Sequence, residues 1–378
     1  MPMLKTFARK IQYVLGLNTG ARVGTGVVLL LLLALAITAL FAFTGLNSPK
    51  SDGVRIAYFH GGRTMLLYRA LIDDAFEKEG VSVQLLTRGL RETEYDIVPK
   101  DYEAIKNDKL FGKARGTELL QEVADGRFEG ATPGESSFIE YVTKGLPLVA
   151  VAELGHDTKD KPGHAIVFAT GIEINSPEDV RGLTIASRRA GAGDAIFTKE
   201  YLRSIGLSEK DVNLVEQVDE DELNKGIVNG TFDGAFFHLM SIESNVERGA
   251  IYVHQKFTWV NPELSHALLV FHKDFVKDHP DAVEKIVRAY MKRIKYEQGL
   301  PREERLKNPG EGFQKGLQME EDYQGMNLPQ YDMPPTVSLE LLSEMQDLMI
   351  KYGYIDTKTD LAPYIDNSFV EKIYKEGF

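Results

Sequence analysis

Three glycine-bearing stretches combine hydroxyls, cations and backbone N–H groups at spacings suited to gripping a small anionic or polar organic solute. The first, His60-Gly61-Gly62-Arg63-Thr64, offers close backbone approach at two glycines and one cation. The second carries Thr132, Gly134, Ser136 and Ser137 ahead of a helix, where hydroxyls and free N–H groups suit a carboxylate, sulfonate or phosphate-like group. The third runs from Ser187 through Arg188, Arg189, Gly191 and Gly193 to Asp194, and Arg favours bidentate recognition of planar oxyanions. His238, following Phe237, supplies a fourth wall. Each stretch also has a plainer reading. Glycine loops serve as ordinary strand-to-helix turns, and His60 reads equally as a packed or surface residue. Arg188 and Arg189 are neighbours that point apart, so at least one reads as a solvated charge. Glu135 opposes an anion unless it turns away or pairs with Arg.

The residue inventory argues against catalysis. With no cysteine among 378 residues, disulfides, thiolate metal sites, Cys nucleophiles and Fe–S clusters are excluded. The eight histidines form no His-Glu-x-x-His pair, and no Gly-x-Ser-x-Gly elbow exists. Gly191-x-Gly193 lacks the third glycine of a dinucleotide loop. No metal or cofactor is expected. An acidic chain without long basic runs is a poor partner for nucleic acid.

These loops need strands and helices to hold them. A strand over 54–59 leads into His60–Thr64 and a helical pattern that runs to Phe76, with a second strand over 81–86. Residues 88–116 form a charged excursion containing Tyr95, Tyr102 and Phe111, about twice the expected length. A helix around 119–124, a helix over 138–144 and a strand over 146–154 follow. The plan then repeats: a strand at 165–169, a capping-type helix start at Ser176-Pro177-Glu178-Asp179, and a strand at 183–186 opening into the Ser187–Asp194 loop. Further strands fall near 212–215, 233–237 and 267–271, and a long helix spans 280–298. Residues 299–335 read as a loop layer with exposed aromatics (Phe313, Tyr323, Tyr331), and an amphipathic helix over 339–352 closes the pattern. Strands alternating with helices predict an α/β fold with largely parallel sheets, in two lobes about a cleft. Ligands of such sheets sit beyond the carboxyl ends of the strands, where the loops above fall.

The net charge of −12 conceals a split. Residues 1–50 hold five basic residues and no acid, leaving 39 basic against 56 acidic residues and a net of −17 for the rest. No charge occurs between Val23 and Pro49, and 27–43 is densely apolar. About 20 such residues cross a hydrocarbon core of about 30 Å. The basic flank predicts a cytoplasmic stub at 1–22, a transmembrane anchor at 23–46 in the lipid bilayer, and an extracytoplasmic, periplasmic body beyond the inner membrane. A cleaved signal peptide is the competing reading, against which the run is long and no clean small-x-small site follows.

Further motifs carry a family resemblance. Phe76-Glu77-Lys78-Glu79-Gly80-Val81, Leu120 with Asp125-Gly126-Arg127-Phe128-Glu129-Gly130, and Ser176-Pro177-Glu178-Asp179-Val180-Arg181-Gly182 occur in order. Gly206-Leu207-Ser208-Glu209-Lys210-Asp211-Val212, Asn229-Gly230-Thr231-Phe232-Asp233-Gly234-Ala235 and His279-Pro280-Asp281-Ala282-Val283 follow. Together, over about residues 54–370, this resembles the extracytoplasmic solute-binding proteins of ABC transporters, of the nitrate, taurine/alkanesulfonate and thiamine-precursor type. The resemblance implies a type 2 periplasmic-binding-protein fold. One lobe would comprise 54–155 plus 263–378 and the other 156–262, with a small-molecule solute held between them and an ABC permease as membrane partner. It implies no enzyme activity: the related fungal thiamine-pyrimidine synthases use a cysteine-rich motif, which this chain lacks. The long insertions leave a second reading open, in which the same fold is a sensor or a structural accessory subunit of a membrane assembly.

Overall fold

The structure is a computed structural model that describes residues 53–59, 62–88, 95–98, 100, 116–159, 164–188, 192–218, 220–238, 251–256, 261–301 and 330–378. Among these, the chain runs β1 (Val54–Ala57), α1 (Met65–Ile72), α2 (Ala75–Lys78), β2 (Val83–Arg88), β3 (Tyr95–Ile97), α3 (Gly116–Ala124), β4 (Gly130–Ala131), α4 (Glu135–Thr143) and β5 (Leu148–His156). It continues with β6 (His164–Ala169), β7 (Thr184–Arg188), α5 (Ala192–Ser204), β8 (Asn213–Val218), α6 (Glu220–Asn229), β9 (Gly234–His238), β10 (Ile251–Lys256) and β11 (His266–His272). The helices α7 (Lys273–Asp278), α8 (Pro280–Gly299), α9 (Leu339–Lys351) and α10 (Ser368–Glu376) complete it. The expected anchor at 23–46 and stub at 1–22 lie outside the described residues. Among the described residues no helix is long and apolar enough to cross a membrane.

Two sheets organise the body. The first has strand order β3-β2-β1-β4-β11-β5, the second β10-β6-β9-β7-β8. Sheets of largely parallel strands were the expectation, and the pairing is instead mixed. Each sheet keeps a parallel trio, β2-β1-β4 in one and β8-β7-β9 in the other. Antiparallel strands lie on both sides of the first trio, β3 against β2 and β11 against β4, and on one side of the second, β6 against β9, with β8 at the edge. The chain leaves the first sheet after β5, builds the second, and re-enters the first at β11 between β4 and β5.

Local chemistry sets the elements. In α8, Pro280 sits at the first turn, where its missing N–H costs nothing. Val283, Ile286, Val287, Tyr290, Met291 and Ile294 recur at helical spacing and are buried against α1 and α10. The helix expected to run to Phe76 breaks into α1 and α2, since Asp74 adopts a left-handed φ of 54°. The capping signature at Ser176 does form, with Asp179 Oδ2 accepting from Ser176 N at 2.8 Å, yet it starts only the 3-10 turn Pro177–Val180.

All nine residues of β5 are buried although the strand ends the sheet order. Later chain covers its open edge: Gln330 and His156 exchange backbone hydrogen bonds at 2.9 and 3.0 Å, and Glu153 N donates to Pro335 O at 2.9 Å. Tyr331, read from sequence as an exposed loop aromatic, therefore packs beside Gly155. Tyr95 likewise meets Phe128 edge-on, with centroids 4.9 Å apart. The remaining residues singled out in the two insertions, Tyr102, Phe111, Phe313 and Tyr323, fall outside the described residues. One apolar cluster draws on both sheets, including Phe138 and Leu268 from one side and Phe197 and Phe236 from the other.

Candidate functional site

The site grows from strand ends. After β1, the 3-10 turn Gly62–Thr64 places Arg63, whose Nη1 donates to Ser265 Oγ at 2.7 Å and lies 3.7 Å from Glu135 Oε2. Thr64 and Thr132 hold the turn itself: Thr64 Oγ1 donates to Phe59 O at 2.7 Å, and Thr132 Oγ1 accepts from Phe59 N at 2.7 Å. After β4, Gly134 caps α4 in an extended conformation, bringing Glu135, Ser136 and Ser137 into the first helical turn. From the other sheet, β7 delivers Ser187 and Arg188, and α5 begins at Ala192. Arg188 is buried and meets Asp194 in that first turn, Nε to Oδ2 at 2.7 Å. Unpaired burial of either charge would cost several kcal/mol, so this pair explains how an arginine is tolerated there.

Two of the three loops meet directly. Gly193 N donates to Ser136 Oγ at 3.2 Å, joining the N-terminal turns of α5 and α4 across the two sheets. Glu135 is 3% exposed, and its Oε2 accepts from His266 N at 3.2 Å. His238 ends β9 directly opposite His164 in the β6–β9 register. Four of the expected contacts, His60, Gly61, Arg189 and Gly191, lie outside the described residues.

Sequence reading passed over the residues at the base of this site. His164 Nδ1 lies 2.7 Å from Asp157 Oδ2, and its ring stacks on Phe236 with centroids 5.1 Å apart and planes 10° from parallel. Ser265 Oγ lies 3.5 Å from the same Nδ1, linking this pair to Arg63. Complete burial, with the charges of Arg63 and Arg188 adding to it, holds the imidazole well below its ordinary range, so it is neutral and donates to the carboxylate. No sequence motif marks His164 or Asp157; their only signal was position beside the passage between lobes. Ser137 Oγ, Ser187 Oγ and His266 Nε2 are buried and have no hydrogen-bond partner among the described residues. Buried polar atoms in folded proteins are overwhelmingly paired, so these three are candidate contacts for a bound solute.

At the open end of β5, Glu153, His156 and Asp332 bring donor atoms within 4.8 Å of one another. Burial lowers the His156 imidazole, but its 2.5 Å contact with Glu153 outweighs that and raises it. A surface hollow lined by Ser368, Glu371, Lys372, Lys375 and Glu376 on α10 shares no residue with the site.

With this geometry in place, comparison places the molecule. The NMT1/THI5-like family model matches residues 110–304, just over half of the chain, and the chain belongs to that family. No curated protein matches it in sequence. The fold is similar to the putative sulfonate ABC transporter periplasmic sulfonate-binding protein SsuA of Methylobacillus flagellatus KT, at TM-score 0.62 and 20% identity, covering 86% of this chain and 95% of that one. It is also similar to the periplasmic nitrate-binding protein NrtA of Synechocystis PCC 6803, at TM-score 0.60 and 13% identity, covering 87% and 90%. The desulfurization enzyme DSZB shares it at TM-score 0.54 and 12% identity, covering 85% and 99%. The chain is thus a two-lobed α/β protein of the periplasmic-binding-protein type.

Proposed function

We propose that this protein captures a small polar organic solute between its two lobes and hands it to an ABC importer. One observation carries the reading: loops from both sheets converge, with Ser136 and Gly193 in direct contact and the Ser137 and Ser187 hydroxyls, unpartnered among the described residues, close by in sequence. Family membership and the likeness to sulfonate- and nitrate-binding proteins support it. We take 54–155 plus 263–378 as one lobe and 156–262 as the other, with Arg63, Ser136, Ser137, Ser187 and Gly193 facing the solute. Residues 23–46 anchor the body outside the membrane in this reading. Binding is favoured over catalysis because His164, the acid–base candidate of the site, is fully buried and stacked on Phe236.

The test is a metabolite-library thermal-shift screen on the full chain. A solute present at about a hundredfold its Kd raises stability by about 2.7 kcal/mol. A hit whose shift is lost in Ser136→Ala and Arg63→Met supports the proposal, and a library without hits overturns it. The accessory-subunit reading gains from the internal pairing of Arg188 with Asp194, which leaves that cation engaged. Stable co-purification with membrane subunits, without any solute hit, selects it.

A further inference from the structure

The central charge of the site is a carboxylate. Glu135 stands in the first turn of α4, is almost wholly buried, and lies 3.7 Å from the Arg63 guanidinium. Its Oε2 accepts from His266 N, while its Oε1 faces α5: a Cβ built on Gly193 would come within 3.0 Å of it. The N-terminal turns of two helices, one cation and one backbone donor thus surround a side chain of the protein itself. Those are the groups that would otherwise draw an external oxyanion. Among the described residues, Arg63 and Arg188 are set against Glu135, Asp157 and Asp194, with His164 neutral, so these five charged groups carry one negative charge more than positive.

We infer that Glu135 is a built-in occupant of the anion seat of the cleft, and that the protein selects solutes with a neutral or cationic, hydrogen-donating head and rejects monoanions. This rests on the solute-binding reading and revises the anionic solute suggested by the two arginine-bearing loops. An amide, amidine, ammonium or amino-heterocycle donates to Glu135 Oε1 and finds acceptors and donors in Ser137 and Ser187. A sulfonate or carboxylate head meets like charge in a site from which water is largely excluded, where repulsion is weakly screened.

The experiment compares methanesulfonate with methanesulfonamide, which differ in charge and in one N–H donor group but hardly in shape. Calorimetric titration of the full chain is expected to show methanesulfonamide bound at least about tenfold more tightly than methanesulfonate. Glu135→Gln and Glu135→Ala, checked for folding by circular dichroism, are expected to tighten methanesulfonate binding by at least about tenfold. Equal methanesulfonate binding in wild type and variants, including none in any, overturns the inference. Where both variants fail to fold, the order of the two probes on wild-type protein decides: sulfonamide ahead supports it, sulfonate ahead or neither bound overturns it. A metabolite screen whose hits are monoanions sinks this inference and leaves importer function standing. Methanesulfonate gained by Glu135→Gln, with no wild-type metabolite hit, does the reverse.

Discussion

Lys351 Nζ stands 2.5 Å from Glu200 Oε1, tying the last turn of α9, which packs on α4, to α5, which packs on β9. The same carboxylate takes Arg203 Nη2 at 2.5 Å and the Tyr352 hydroxyl, and beside it Lys199 bonds Glu216 at 2.7 Å and the Tyr354 hydroxyl at 2.9 Å. Lys351 at the end of α9 and the two tyrosines just beyond it therefore clasp the second sheet's helix. Glu200→Gln leaves three donors without their charge partner and is expected to cost about 1–3 kcal/mol in urea denaturation. Lys351→Met, whose side chain is 44% exposed, is expected to cost less than about 1 kcal/mol.

Acid separates this contribution from the rest. Burial pushes the Glu200 carboxyl up, but hydrogen bonds from Arg203, Lys351 and Tyr352 outweigh it and bring the group from 4.5 down to about 2. Below the unfolded value the unfolded chain binds the proton first, so the stabilisation is complete above about pH 4.5 and is lost as pH falls towards 2. With its partners open to solvent, the loss is expected to be about 1–3 kcal/mol. Denaturation at about pH 6, 4 and 3 checks this: the wild type loses its advantage over Glu200→Gln across that window.

His164 works in the opposite pH direction from an ion-paired histidine. Its folded form resists protonation, whereas the unfolded imidazole titrates at its ordinary 6.5. Stability therefore falls as pH drops below about 6.5, at up to about 1.4 kcal/mol per pH unit for one proton. His164→Gln is expected to remove that slope in stability profiles between about pH 7 and 5, apart from what other groups contribute.

Gly155 admits no side chain. Its φ of +140° is costly for other residues, and an added Cβ would stand 2.9 Å from the Tyr331 ring and 3.0 Å from Arg63 O. Gly155→Ala is expected to lose about 2–4 kcal/mol, read as a lower urea midpoint at unchanged slope. Solute affinity should fall with it, because the strand then presses on the backbone of Arg63.

Periodic and punctuated stretches declared themselves in the sequence. The long helix after His279-Pro280 and the amphipathic run from Leu339 carry helical spacing strong enough to be read within a residue or two. The loops bearing Arg63, Ser136 and Gly193 stood out because glycine, hydroxyl and cation fall together at strand ends. Strand direction did not, since β11 and β6 read as ordinary apolar runs and only the return path of the chain makes them antiparallel. Pairing was equally hidden. Arg188 looked like an anion contact until Asp194, six residues on, proved to hold it, and Glu135 looked like a nuisance until His266 and Arg63 were seen around it.

The position of β11 has a kinetic meaning. It lies between β4 and β5, yet it is made only after every strand of the second sheet. Until His266–His272 leaves the ribosome, β4 and β5 share no neighbour, and the nine buried positions of β5 wait for a partner more than a hundred residues away. Contacts this distant along the chain are slow to close. The two halves of this protein are thus bound to one folding schedule: the first-made sheet is completed last, and a nascent chain stalled before residue 266 exposes β5 to aggregation or to a chaperone.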